Sequence, residues 1–282
     1  MCHFHPAAQF CAKVIHNAPL KGEYWILRCE VPEGFAAAAR PGQFVHVRIP
    51  GIEAHLLRRP FSICDCCDGE LTIVYKVVGI GSAALSRVRS GNKLDVLGPL
   101  GHGFTIPDPG STAQTVMLGG GYGCAAMFFY AHWLASGGNG HQAPSPLILL
   151  GARSANDILL MDDFRALGCQ VLASTDDGSM GTKGRITALM QQLAEDPDGR
   201  HRRRRLAACG PMPMLRAVAA MAAGNPDWRD CEVSLDEIMC CGVGACFGCV
   251  VKCRSQHAPE DWEYRRSCLE GPVFKAEEIY WE

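Results

Sequence analysis

Short apolar runs broken by glycine and proline fill the first third of the chain. YWILRCEVP, QFVHVRIP, FSICDCC and LTIVYKVV are rich in Val, Ile, Tyr and Phe, and PEG, PGQ and DGE stand between or beside them. Strand-like segments at this spacing predict an antiparallel β-sandwich or β-barrel over residues 1–108. Near residue 112 the pattern changes. TVMLGGG, PLILLGA, CQVLASTDD and RLAACGP are apolar runs ending in Gly, Asp or Gly-Pro. They alternate with the helix-like stretches GCAAMFFYAHWLA, MDDFRALG, GRITALMQQLAED and MPMLRAVAAMAAG. Strand and helix in turn predict a doubly wound parallel α/β domain over 109–225, with SGGNGHQAPSP (136–146) as a polar surface loop. From 226 to 282 the alternation stops and cysteine and glycine take over. A third unit this small seldom holds itself together by apolar burial, and a bound metal is a usual remedy.

Composition narrows the field. The chain has 282 residues, 48% of them apolar, and a formal charge of -2. That gives no general pull towards nucleic acid or an anionic membrane. The one basic run, His201 to Arg205, precedes the apolar LAACG and reads as a solvated loop before a buried strand. Sixteen cysteines would suggest disulfides in a short secreted chain. The start, MCHFHPAAQFCAKV, lacks a charged region followed by an apolar one, and the longest apolar stretches, such as AVAAMAA (217–223), are too short to span a bilayer. A reducing cytoplasm with free thiols is the expectation. Cys2, Cys11, Cys64, Cys66, Cys67, Cys124, Cys169 and Cys231 then read as small core residues or bystanders.

CCGVGACFGCVVKC, residues 240–253, carries a denser message. Cys241, Cys246 and Cys249 form C-x4-C-x2-C, the plant-type [2Fe–2S] spacing. Zinc sites favour two separated pairs, and the nearest histidine, His257, completes none. Gly242, Gly244 and Gly248 would let the backbone take positive φ and curl around the cluster. The fourth ligand is expected farther on, at Cys268 in RRSCLEGPVF, with Cys253 as a nearer alternative and Cys240 as an alternative to Cys241.

Two further motifs suggest nucleotides. Arg59-Pro60-Phe61-Ser62 is followed by Gly79-Ile80-Gly81-Ser82 and a helix start, which pairs an arginine with backbone N–H groups able to receive a diphosphate. A turn followed by a capped helix explains the same residues. Gly119-Gly120-Gly121-Tyr122-Gly123 and Cys209-Gly210-Pro211-Met212 each join a predicted strand to a helix, at strand carboxyl ends where open α/β sheets bind ligands.

RPFS, GIGS, GGGYG and CGPMPML, in this order, resemble the ferredoxin–NADP reductase superfamily. With CGVGACFGC and RSCLEGPVF added, nearly the whole chain resembles the electron-transfer-subunit family of class 1B dihydroorotate dehydrogenase. The resemblance implies an antiparallel FAD-binding barrel, an NAD-binding α/β domain and a C-terminal [2Fe–2S] domain. It places FAD on Arg59, Pro60, Phe61, Ser62, Val74, Tyr75, Lys76, Gly81 and Ser82. It places NAD on Gly119, Gly120, Gly121, Gly123, Cys209, Gly210, Pro211 and Met212, and the cluster on Cys241, Cys246, Cys249 and Cys268. It further implies an NAD-linked oxidoreductase subunit in pyrimidine biosynthesis. An FMN-containing catalytic subunit would be its partner in a two-plus-two heterotetramer, and dihydroorotate oxidation would occur on that partner. NAD is favoured over NADP because Asp176-Asp177 would repel a 2′-phosphate, although Arg153 keeps NADP open.

The chain departs from its relatives in three places. Cys124-Ala125-Ala126 replaces a common Ala-Pro, Ser82 a common Thr, and SQHAPEDW lengthens the linker between Cys249 and Cys268. Two rival readings remain at this point. One is a small flavin and iron–sulfur subunit of a ferredoxin, hydrogenase or sulfide-type oxidoreductase, and the other is a zinc-stabilised scaffold or redox sensor.

Overall fold

The longest strand is one that no apolar run announces. In the computed structural model, β1 (Ala8–Lys21) hides Ala12 and Val14 while most of its neighbours are polar or part-exposed. It joins β2 (Tyr24–Glu30), β3 (Phe44–Arg48), β4 (Arg59–Ser62), β5 (Asp65–Cys67), β6 (Glu70–Lys76) and β7 (Lys93–Leu100). The sheet order is β4-β3-β7-β1-β2-β6-β5, antiparallel throughout. It curls until the ring of Phe61 on β4 meets that of Tyr75 on β6 at 6.0 Å. Between β5 and β6, Asp68 and Gly69 both take positive φ, as a two-residue hairpin turn requires. The structure describes residues 7–52, 57–108, 110–137, 144–195, 203–256 and 258–281. Most of the expected surface loop at 136–146 therefore lies outside the described residues.

The second sheet follows the alternation read from the sequence. β8 (Gln114–Gly120), β9 (Leu147–Ala152), β10 (Gln170–Thr175), β11 (Thr182–Lys183) and β12 (Arg204–Cys209) are parallel, with α4 (Met161–Ala166), α5 (Ile186–Glu195) and α6 (Met212–Ala223) among the connections. The sheet does not end at residue 225. β13 (Trp228–Ser234) pairs parallel with β12, and β16 (Val273–Lys275) closes the edge antiparallel to β13. The cysteine-rich segment is thus an excursion between two neighbouring strands, built around the hairpin of β14 (Val250–Arg254) and β15 (Trp262–Arg266).

The basic run also differs from expectation. Arg204 is buried within β12, where its guanidinium donates to the Leu193 carbonyl at 3.0 Å near the end of α5. A strand position that packs the aliphatic stem and a helix end that takes the charge explain the difference. Cys64, Cys66, Cys124 and Cys169 are buried, Cys67 and Cys231 half-buried and Cys11 exposed, while Cys2 lies outside the described residues. Among the described residues no helix is long and apolar enough to cross a membrane.

One helix ties the two sheets together. α3 (Cys124–Ala135) buries eight of its residues and has almost no polar face. Met127 and Tyr130 share a core with Ile148 and Ala207 of the parallel sheet and with Tyr24 and Val74 of the antiparallel one. Phe129 enters the other core, among Leu27, Leu71 and Ile73. A helix apolar on every side must be covered on every side. Phe129→Ala should therefore lower stability by about 3–5 kcal/mol, read as a lower urea midpoint with an unchanged slope.

Candidate functional site

A cavity of about 460 Å³ opens where the two sheets and the cysteine-rich excursion meet. Arg59, Pro60, Phe61 and Ser62 line it from β4, and Val74, Tyr75 and Lys76 from the end of β6. Gly79 to Ser82 lead into α2 (Ile80–Leu85) and form its mouth, and Tyr122, Cys209 and the segment 234–237 form the far wall. Every residue expected at the flavin therefore meets in one place.

Local packing explains several identities. A Cβ on Gly81 would stand 3.1 Å from Arg59 Nε, so glycine leaves room for the arginine to cross the turn. Arg59 Nη1 donates to the Leu57 carbonyl at 2.6 Å. Tyr75 is buried, and its hydroxyl donates to Asn17 Oδ1 at 2.9 Å. Lys76 pairs with Glu23 at 3.0 Å. Ser82 is engaged with its own helix: its Oγ accepts from the N–H groups of Val78 (2.9 Å) and Gly79 (3.1 Å). Val78 and Ile80, exposed by 79% and 56%, give the mouth an apolar rim.

The glycines of the α/β domain serve the protein before any ligand. β8 and β12 are neighbours, with Gly119 opposite Cys209. A Cβ on Gly123 would collide with the Cys209 carbonyl, and one on Gly120 would lie 2.5 Å from Met214 Sδ. Gly119 is likewise closed by Cys124. These residues let the loops after β8 and β12 interlock. Gly121 is the open one: it takes φ +55°, and the nearest atom to a Cβ there would be the Tyr24 hydroxyl at 3.6 Å. Of the residues assigned to the nicotinamide side, Cys209 alone also lines the cavity, while Met212 is exposed on the loop beyond.

The cysteine loop gathers the expected sulfurs. Backbone N–H groups point at all four: Val243 to Cys241 Sγ (3.5 Å), Gly248 to Cys246 Sγ (3.5 Å), Cys268 to Cys249 Sγ (3.4 Å) and Gly244 to Cys268 Sγ (3.2 Å). Burial alone would raise the Cys241 thiol. The N–H groups of Val243, Cys246 and Ala245 and the Cys246 thiol outweigh it and bring the group down to about 6. Cys268, more enclosed and beside Cys249, is pushed up to about 12. Gly242 and Gly244 take positive φ as expected, whereas Phe247 does so in place of Gly248. Gly248 instead stands where a Cβ would be 3.5 Å from the sulfurs of Cys240 and Cys246. Cys253 faces the other way, into the core beneath the parallel sheet with Val251 and Ile279. The hairpin base sets Cys249 beside Cys268: Val250 pairs with Arg266, and the Ser267 N–H donates to the Cys249 carbonyl at 2.9 Å.

Several residues of the site carried no sequence signal. Phe44 and Met239 line the cavity and also belong to the buried cluster that holds Cys249 and Cys268. Tyr122, within the glycine loop, donates its hydroxyl to Asp236, joining the nucleotide side to the excursion. Burial followed by this carboxylate raises the Tyr122 phenol, and burial followed by Asp236 raises Glu237. His46 is fully buried beneath Gly242.

Known proteins divide along the same lines. Residues 236–280 match the family model described as the iron–sulfur cluster binding domain of dihydroorotate dehydrogenase B. The dihydroorotate dehydrogenase B (NAD(+)) electron transfer subunit of Geobacillus kaustophilus is 37% identical over 243 residues, covering 85% of this chain and 86% of that protein. The Desulforamulus reducens subunit of the same name is 37% identical over 279 residues, covering 97% and 98%. Among solved structures, an NADH-dependent reduced ferredoxin-NADP oxidoreductase aligns with a TM-score of 0.79 at 28% identity, over 96% of this chain and 90% of that one. A ferredoxin NADP+ reductase from Neisseria gonorrhoeae shares the fold, with a TM-score of 0.62 at 15% identity over 77% and 91%. Identity at this level over so much of both lengths means that the chain belongs to the family of dihydroorotate dehydrogenase B (NAD(+)) electron transfer subunits.

Proposed function

We propose that this chain conveys electrons between a dihydroorotate-oxidising partner subunit and NAD+, with FAD in the cavity and a [2Fe–2S] cluster in the cysteine loop. The shared wall of Phe44 and Met239 carries this reading, because it sets the two sites one layer of side chains apart. When bound, FAD exchanges electron pairs with a nicotinamide and single electrons with an iron–sulfur cluster, which is the conversion such a relay needs.

The chain's own residues hold and insulate. Arg59 crosses Gly81 at the mouth, the position for a diphosphate. Ser62, Val74 and Tyr75 supply a largely apolar bed, and Lys76 remains in place through Glu23. The cavity volume lies in the range of cofactor sites. Cys241, Cys246, Cys249 and Cys268 supply four thiolates already facing backbone N–H groups, the donor set and hydrogen bonding of a [2Fe–2S] centre. The interlocked loops at Gly119–Gly123 and Cys209–Met212 receive NAD, with Gly121 as the point of close approach. Asp177 joins its backbone to Arg153 at the carboxyl edge of the sheet and keeps its own carboxylate ionised through Ser179, which favours NAD over NADP.

In the same excursion as the exposed Cys246, Ile238, Val243 and Phe247 are 81%, 49% and 61% exposed. Apolar groups at a redox centre suit a partner's docking face. The partner is an FMN-containing catalytic subunit, and two copies of each chain make a heterotetramer. The free thiols support a cytoplasmic location.

The complex, purified anaerobically with its partner, should reduce NAD+ when given dihydroorotate. NADH reduction of the bound flavin with no dihydroorotate-linked turnover would overturn the assigned partner and leave a ferredoxin or sulfur substrate. Cys268→Ala should abolish retention of iron and sulfide, whereas Cys253→Ala should leave both near wild type in a chemical iron assay. Arg59→Ala should weaken FAD retention by roughly 10–100-fold, the worth of a charge-assisted hydrogen bond of about 1.5–3 kcal/mol, measured by flavin released on dilution.

A further inference from the structure

Away from the cavity and the cysteine loop, three ligand-type side chains converge where β5 meets α3. Asp65 and Cys67 are two residues apart on β5, so strand alternation turns both to the same side, while Cys66 between them enters the core of the antiparallel sheet. β5 ends that sheet, and the last turn of α3 lays His132 across its face. His132 Nδ1 is 2.8 Å from Asp65 Oδ1, and Cys67 Sγ is 3.6 Å from Asp65 Oδ2. One donor atom from each residue lies within 4.8 Å of the other two. The side chains of Asp65 and His132 are 17% and 28% exposed, so an ion could enter and still be partly enclosed.

Charge and geometry point the same way. Asp65, Asp68 and Glu70 set carboxylates about the Cys67 sulfur, a surrounding suited to a cation. Ligand bonds of about 2.3 Å to sulfur and 2.0 Å to oxygen at a tetrahedral angle set those two atoms about 3.5 Å apart, close to the separation present. The His132 contact at 2.8 Å uses the other oxygen, Oδ1. The Asp65 carboxylate therefore turns to give one oxygen to the ion shared with Cys67 and His132, whose donor atoms all lie within 4.8 Å of one another. Calcium and magnesium prefer oxygen alone, whereas a thiolate, an imidazole and a carboxylate together suit zinc.

We propose that Asp65, Cys67 and His132 bind one zinc ion, with water as the fourth ligand, clamping the edge of the antiparallel sheet to α3. Binding replaces the S–H bond of Cys67 with an S–Zn bond and releases the proton to solvent. His132 coordinates through Nδ1 and keeps its hydrogen on Nε2.

The test uses the holoprotein, with flavin and iron retained, exposed to zinc chloride and then desalted. About one zinc per chain should remain beside undiminished iron. The Zn K-edge spectrum should show one sulfur and about three nitrogen or oxygen neighbours. Cys67→Ala and His132→Gln should each cut retained zinc by about tenfold or more while leaving iron and flavin contents unchanged. Zinc below about a tenth of an equivalent in the wild type, or zinc surviving both substitutions, would overturn the proposal. So would a shell of four sulfurs, which would put the metal in the cysteine loop instead. If a variant fails to fold, the wild-type spectrum decides alone.

Discussion

The architecture depends on burying α3 from two sides. Its side chains serve two cores at once, so neither sheet can be fully packed without the other. The cavity exists because the sheets are held at this junction: one wall comes from β4 and β6, the other from the strand ends that flank α3. Glycine at 120 and 123 lets the loops after β8 and β12 close on each other, and this brings Cys209 to the cavity wall. Apolar burial of α3 holds the two halves of the site together, and Lys21 adds a polar tie to the carbonyls of Ala155 and Ile158.

The cysteine-rich excursion depends on the same frame. It leaves the parallel sheet after β13 and returns as β16 beside it. Its own apolar content is small, and the cluster of Phe44, Leu100, Met239, Cys249 and Cys268 borrows two of its members from the antiparallel sheet. The Tyr122–Asp236 hydrogen bond adds a polar tie from the nucleotide loop. A segment held in this way takes its position from its neighbours, and this is how a loop with little core can present sulfurs at a fixed place.

Much of this was legible in the sequence because it rests on local pattern. The parallel strands are unbroken apolar runs, the helices between them are long enough to show, and the cysteine spacing is a local property of the loop. Family resemblance supplied the identity, which the relatives bear out. The rest depended on distant contacts. β1 and β7 went unremarked because many of their positions are polar or part-exposed, and pairing with each other and with β2 and β3 defines them. β13 fell beyond the expected domain boundary because its mixed sequence, WRDCEVS, resembles a loop until β12 and β16 flank it. Phe44, Met239 and Tyr122 belong to three different elements, and no spacing along the chain relates them. Gly119, Gly120 and Gly123 read as a ligand cradle, yet their first role is to admit another part of the backbone.

The β14–β15 hairpin gives the linker between Cys249 and Cys268 an unexpected freedom. Both cysteines flank its base, where Val250 and Arg266 are paired, while the described residues between the outermost pair, Arg254 and Trp262, form its tip. Lengthening a hairpin tip leaves the base in register, and the entropic cost of a longer loop rises only with the logarithm of its length. Separation in space is thereby uncoupled from separation in sequence. The first three cysteines are bound to a strict motif, but the interval before the fourth can drift without moving its sulfur, so a pattern search with a fixed final gap would overlook chains built like this one.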